Sequence, residues 1–431
     1  MQTKTMKGIA LCVFLTATAF ANPGVDHSLS TDELQRYFGV NSHEKAPEYE
    51  IVYPEFLTTD SKRNVGRSAI ANSSLELQIG AFGQTLELTL EQDGSFIRPG
   101  LVAEYISEEG TITVPVRSDC LYTGKVKGES TSLASVSACE GLIAMINHAD
   151  GPTYIEPLDE EHAIKRDVGR GLPHIAYKRM PDTGASCPVT GADFSFGDDD
   201  VDDDKFDDIS TKSTQYLELG VIGDSELFSL RGEHTANSLT ALFNAAKNVL
   251  QLNSLDASNT TEPKLVTLKV FTSAESGLVT CPDSIKSLEA AAAWQSANNP
   301  SSSSSGHWDN AAIITGWKLD GGLTLGIAYL STCGNNDSVS VTSLRSLGAT
   351  DTLAHEIGHN LGMKHDSDVG CSSSGYVMAT SAMDHRAEPS WSTCSKKDYD
   401  SFVGSHSCYN NDAWITWREG YSQRASLQVL L

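Results

Sequence analysis

Between residues 75 and 158 apolar side chains recur at every second position: Leu75-Glu76-Leu77-Gln78-Ile79, Leu86-Glu87-Leu88-Thr89-Leu90, Thr111-Ile112-Thr113-Val114 and Leu142-Ile143-Ala144-Met145-Ile146. A period of two puts alternate side chains on one face of an extended chain, and the intervening Gly and Asn/Asp are turn residues, so the stretch predicts antiparallel strands. Cys120 and Cys139 fall inside it, where a disulfide would staple neighbouring strands. Beyond residue 213 the pattern changes. Residues 216–222 and 265–271 read as strands flanking a helix with Leu239, Leu242, Phe243, Ala246 and Leu250 at helical spacing. A second helix is expected around 285–294, and strands at 311–315 and 325–330. Such alternation predicts an α/β layer arrangement.

The two patterns are separated by Gly197-Asp198-Asp199-Asp200-Val201-Asp202-Asp203-Asp204. This run has too little apolar surface to fold and lacks the spaced ligands and turning glycine of a calcium loop, so it reads as an exposed linker. Pro300-Ser301-Ser302-Ser303-Ser304-Ser305-Gly306 reads as a surface loop. With 431 residues, two folded units are expected. The boundaries are a leader at 1–21, an N-terminal domain at 22–195, the linker at 196–212, a second domain at 213–412 and a tail at 413–431.

The leader is read from Lys4 and Lys7 ahead of an apolar run at 9–20, closed by the small-x-small pattern Ala19-Phe20-Ala21. The run is too short to span a bilayer, so the chain is expected to be secreted. Export permits disulfides among the nine cysteines, of which Cys12 lies in the leader. A net charge of -25 opposes binding to nucleic acid or to an anionic membrane surface. Asn72, Asn259 and Asn336 lie in N-glycosylation sequons.

Chemistry concentrates in His355-Glu356-Ile357-Gly358-His359-Asn360-Leu361-Gly362-Met363-Lys364-His365-Asp366. Two histidines four apart share one helix face, so both imidazoles reach a single ion. Gly362 can end the helix in a left-handed conformation and bring His365 in as a third nitrogen ligand. Zinc on three imidazoles keeps one position for water and lowers its pKa from about 15.7 toward about 7. Glu356 is placed to take that proton as catalytic base and pass it to a leaving amine. The bland alternative, surface or core histidines or a closed structural zinc site, does not account for the third histidine after a glycine.

At these residues the sequence resembles the metzincin metalloproteases. Asp366 narrows the resemblance to the adamalysin or reprolysin branch, which includes ADAM proteins and snake-venom metalloproteases. The resemblance implies a twisted, mixed five-stranded sheet with long helices, a zinc helix and a methionine turn, preceded by a mainly antiparallel β prodomain. Gly375-Tyr376-Val377-Met378 fits the methionine turn, with Met378 as the apolar floor and Met383 the weaker candidate. His307-Trp308-Asp309-Asn310-Ala311 and Gly321-Gly322-Leu323-Thr324-Leu325-Gly326-Ile327-Ala328-Tyr329 are similar to the approach to the edge strand on which substrate docks. Trp391-Ser392-Thr393-Cys394-Ser395 is similar to the segment after the methionine turn.

By the same resemblance Cys333 pairs with Cys408 and Cys371 with Cys394, and Glu218, Asp309, the Cys408 carbonyl and Asn411 form a calcium site. Cys120-Leu121-Tyr122, Ser137-Ala138-Cys139 and Tyr154-Ile155-Glu156-Pro157-Leu158 resemble the prodomain. In relatives, a cysteine at the place of Cys187 ligates the zinc and blocks the water position. Here Pro188 stands where a glycine is usual, and a Cys187 to Cys281 disulfide is the alternative. No cysteine follows Cys408, so the disintegrin and cysteine-rich modules of larger relatives are expected to be missing.

The expectation is a secreted, monomeric zinc endopeptidase made as a latent precursor. It would act on protein or peptide substrates after an activating protease has cut it. A catalytically silent binding protein on the same fold is the alternative, and a zinc amidase for small molecules a third.

Overall fold

The alternating pattern of the N-terminal half becomes one ten-stranded antiparallel sheet. Its order runs Tyr49–Val52, His174–Tyr177, Thr153–Pro157, Ile143–Asn147, Leu133–Ser137, Leu121–Val126, Gln84–Gln92, Ser74–Ala81, Glu55–Leu57 and Lys62–Asn64. In this computed structural model the described residues are 28–57, 62–64, 72–158, 171–180, 187, 189–190, 215–256, 261–304, 306–372, 374–380 and 389–405. The leader, the acidic linker, Asn259, Met383, Cys408, Asn411 and the C-terminal tail lie outside them. Leu75, Leu77, Ile79, Leu86, Leu88 and Leu90, the alternate positions of two paired strands, share one core. Cys120 and Cys139 are joined by a disulfide beside the paired strands Leu121–Val126 and Leu133–Ser137.

The second sheet has eight strands, in the order Val189–Thr190, Gly326–Tyr329, Val339–Ser343, Asn310–Thr315, Gln215–Gly223, Thr261–Phe271, Val102–Ser107 and Gly110–Pro115. The middle five come from the C-terminal half and form the mixed sheet that the resemblance implied. They pair in parallel except Gly326–Tyr329, which runs antiparallel to Val339–Ser343. Val339–Ser343 was not anticipated; its alternation of Val with Ser and Thr looks half-polar, yet all five residues are buried. The outer three strands belong to the N-terminal half. Residues 111–114, read as one of the antiparallel strands, lie in an antiparallel hairpin whose strand Val102–Ser107 extends the second sheet in parallel beside Thr261–Phe271.

Helix Thr235–Leu250 explains how the halves meet. Its apolar stripe packs on the second sheet, while its other side, rich in Asn and Lys, is also buried because the first sheet covers it. There Asn244 Nδ2 donates to the Tyr122 carbonyl at 3.2 Å, Asn248 Nδ2 to Ser135 Oγ at 2.7 Å, and Lys247 pairs with Asp93. Two further ion pairs cross the junction, Arg231 with Glu156 and Arg179 with Asp351, each at 2.5 Å. Tyr177 donates to Glu156 at 2.5 Å and accepts from the Leu347 N–H at 2.9 Å. Removing one partner of such a buried pair strands a charge in low dielectric, so the halves hold together specifically. Among the described residues no helix is long and apolar enough to cross a membrane.

Candidate metal centre

Helix Ala349–Asn360 lies buried along its whole length between the sheet and the following chain. His355 and His359 stand one turn apart on it, and each imidazole is fixed through Nδ1: His355 to the Val377 carbonyl at 2.7 Å and His359 to the Met363 carbonyl at 2.8 Å. A carbonyl only accepts, so Nδ1 carries the proton in both rings and each Nε2 presents a lone pair. Gly362 takes φ +87°, where a Cβ would lie 2.9 Å from Phe402, and the chain turns back to deliver His365. Nε2 of His365 lies 3.2 Å from Nε2 of His355 and 3.2 Å from that of His359.

Imidazole nitrogens held at 2.0–2.1 Å in a tetrahedron around zinc are about 3.3–3.4 Å apart, so the triad has the spacing the ion requires. Converging lone pairs repel one another without a cation, which gives the cluster its chemical meaning. Burial and the neighbouring His365 push the His359 pKa down to about 3, keeping the ring neutral. The Nδ1 bonds are the outer contacts that set ring orientation in metal sites.

Glu356, next to the first histidine, is fully buried beside the same centre. Burial pushes its carboxyl up to about 8, and the adjacent Cys187 thiol acts in the opposite direction. Cys187, His355 and Glu356 offer ligand atoms within 4.8 Å of one another. The Cys187 thiol is itself pushed well up, first by burial and then by Glu356. A divalent cation at the imidazoles would oppose both shifts by stabilising carboxylate and thiolate. Cys187 is not bonded to Cys281, whose Sγ instead lies 3.6 Å from the Asp283 carbonyl. Beyond Cys187 the segment Val189–Thr190 pairs in parallel with Ala328 and Tyr329 of the edge strand. The strand expected to receive a peptide is thus covered by the chain's own N-terminal half. Gly326 opens this strand at the point of closest approach, where a Cβ would lie 2.5 Å from Glu356 Oε1.

Under the helix, a Cβ at Gly358 would meet Met378 Sδ at 3.0 Å and the Trp391 ring at 3.3 Å, so Met378 packs against the helix turn between His355 and His359. Asp366 ties the parts together: its N–H donates to the Met378 carbonyl at 3.1 Å, and its buried carboxylate accepts from Ser392 and, at 3.0 Å, from Ser395. Cys371 and Cys394 form a disulfide beside it. Cys333 is buried, and its expected partner Cys408 lies outside the described residues. Of the four expected calcium ligands, Glu218 and Asp309 are buried side by side: the Glu218 N–H donates to Asp309 Oδ2 and the Asp309 N–H to the Glu218 carbonyl, each at 2.8 Å. Asn360 was overlooked in the sequence. A polar residue at a helix end reads as a surface cap, and nothing in the spacing tells that it is fully buried.

Fold and centre together define the metzincin class. The family model described as "Reprolysin (M12B) family zinc metalloprotease" matches residues 215–412, and that of the "Reprolysin family propeptide" matches residues 41–127. The chain belongs to the reprolysin family of zinc metalloproteases, as a precursor with its propeptide. It is 24% identical over 374 residues to "A disintegrin and metalloproteinase with thrombospondin motifs 20" of Mus musculus, covering 76% of this chain and 20% of that protein. It is 27% identical over 369 residues to the human "A disintegrin and metalloproteinase with thrombospondin motifs 4", covering 83% of this chain and 43% of that protein. It is 25% identical over 382 residues to "Zinc metalloproteinase-disintegrin-like atrase-A" of Naja atra, covering 83% of this chain and 59% of that protein. The chain therefore spans less than two thirds of the length of each of these relatives.

Proposed function

We propose that this protein is a secreted, latent zinc endopeptidase that hydrolyses peptide bonds in extracellular proteins once its N-terminal half is displaced. The observation that carries the reading is the convergence of three imidazole lone pairs beside buried Glu356, with Cys187 and the strand after it laid over the same place. His355, His359 and His365 would hold the zinc, which supplies electrophilic polarisation of a carbonyl and acidifies water. Glu356, one residue from a ligand, takes the proton of the attacking water at its carboxylate and delivers it to the departing amine. The edge strand Gly326–Tyr329 binds an extended peptide by its backbone, as it now binds Val189–Thr190. Met378 and Asp366 keep the imidazoles in place from below.

Latency belongs to the same proposal: Cys187 occupies the position of the water, and residues 22–195 act as the prodomain, cut from the catalytic part by another protease within or near the acidic linker. A structural calcium ion at Glu218, Asp309, the Cys408 carbonyl and Asn411 completes it. The test is digestion of a peptide library by the secreted chain after limited proteolysis. Cleavage that a chelator abolishes, zinc restores and Glu356→Ala removes is expected. A processed chain with one bound zinc and no cleavage of any peptide would instead mark a silent binding protein.

A further inference from the structure

The peptide-binding strand and the metal-bearing helix are separate elements, and hydrolysis of a bound peptide needs them held at a fixed distance. At one end the contact of Gly326 with Glu356 sets that distance. At the other end a single side chain spans the gap. Asn360, the last residue of the helix and directly after His359, turns its amide into the sheet. Its Nδ2 shares two hydrogens among three acceptors, the Tyr329 carbonyl at 2.8 Å, the Val339 carbonyl at 3.1 Å and Thr332 Oγ1 at 3.1 Å. Its Oδ1 accepts from Asn310 Nδ2 at 2.5 Å. Two carbonyl acceptors fix which end of the amide carries the hydrogens.

The main chain completes the clamp. At the helix end the His359 carbonyl accepts from the Ser331 N–H at 2.9 Å as well as from Gly362, and the Asn360 carbonyl accepts from the N–H groups of Thr332 and Cys333, each at 3.0 Å. The residues just after the edge strand therefore cap the helix, and the Asn360 amide fastens the strand's last residue to it.

We infer that Asn360 is a positioning residue for substrate: it fixes the register of the Tyr329 end of the edge strand relative to the imidazole centre, so that an extended peptide is gripped along that strand while the Gly326 end sets its scissile bond against Glu356. It neither ligates metal nor touches the reacting atoms. The inference rests on the peptidase reading above for its kinetic consequence, but not for its structural one. Asn360→Asp keeps the shape and replaces two donors with an acceptor aimed at two carbonyl oxygens, which drives the strand end away.

The test compares full-length wild type, Asn360→Asp and Asn310→Ala, the last removing the neighbour that donates to the Asn360 amide together with its bond to Ser338 Oγ. In the intact chain, amide hydrogen exchange at Ser331, Thr332 and Cys333 is expected to quicken about tenfold or more in Asn360→Asp. Exchange over residues 350–357 and zinc content should stay at the wild-type level. After activation by limited proteolysis, KM for an extended peptide should rise roughly tenfold, the loss expected of one or two hydrogen bonds, with kcat within about threefold. Unchanged exchange at 331–333 overturns the inference, as does a fall in kcat and zinc content with KM unaltered, the signature of general structural damage. If Asn360→Asp does not fold, Asn310→Ala must show the same pattern in weaker form, and its absence is equally fatal. A wild-type chain that cleaves nothing defeats the peptidase reading, while the exchange measurement still decides the role of Asn360.

Discussion

Gly326→Ala is the sharpest probe of the centre, because one methyl group would enter the narrowest gap in it. An alanine Cβ would lie 2.5 Å from Glu356 Oε1, 2.7 Å from Glu356 Cγ and 2.8 Å from Thr352 Cγ2. Each contact is several tenths of an ångström inside the closest separation that carbon atoms adopt. The carboxylate tip could swing aside, but Glu356 Cγ and Thr352 Cγ2 are seated on a buried helix and retreat only with it. The helix and edge strand must therefore part by a few tenths of an ångström to about 1 Å, a misplacement that costs on the order of 100-fold in rate when it separates a base from its substrate. Overpacking of this kind also destabilises by about 1–3 kcal/mol. The assay is kcat/KM of the activated chain on an extended fluorogenic peptide, with zinc content and thermal unfolding measured on the same samples. Full zinc occupancy with about 100-fold less activity is expected. Full occupancy with activity within threefold of wild type would refute the placement of Glu356 against the strand.

Three other outcomes follow from the same geometry. Glu156→Ala should lower the stability of the full chain by about 3–5 kcal/mol in denaturant titration, because it leaves Arg231 buried and uncompensated and removes the acceptor of Tyr177; a loss under about 1 kcal/mol would show the pair to be solvated. Burial pushes the Tyr154 pKa from 10.0 up to about 12. The native chain then holds a proton that the unfolded chain releases between those values, so stability is lost as pH rises through that window, by about 1.4 kcal/mol per unit, and Tyr154→Phe should flatten the slope seen in alkaline denaturation. Cys187→Ala in the uncut chain should give chelator-sensitive hydrolysis above the wild-type precursor yet below the activated enzyme, since Val189–Thr190 would still cover the edge strand; activity no higher than wild type would remove Cys187 from the latency mechanism.

The candidate metal centre was legible in the sequence because its residues are local. His355, Glu356 and His359 occupy one helix turn, and Gly362 needs only its own left-handed backbone to bring back His365, so spacing alone prescribes the cluster. The alternating strands were legible for the same reason: Leu75 to Ile79 and Leu86 to Leu90 declare their buried face residue by residue. Long-range partners were not. The hairpin Val102–Pro115 carries the same period of two whichever sheet it joins, and only the free edge of Thr261–Phe271 decided that it extends the second sheet. Helix Thr235–Leu250 showed one apolar stripe in the sequence, whereas its polar side became interior through Tyr122, Ser135 and Asp93, residues more than a hundred positions away. Asn360 illustrates the limit most clearly. Sequence placed it directly after His359, but what its amide binds depends on carbonyls from two strands brought together by the fold, and hydrogen-bond partners distant in sequence leave no periodic trace.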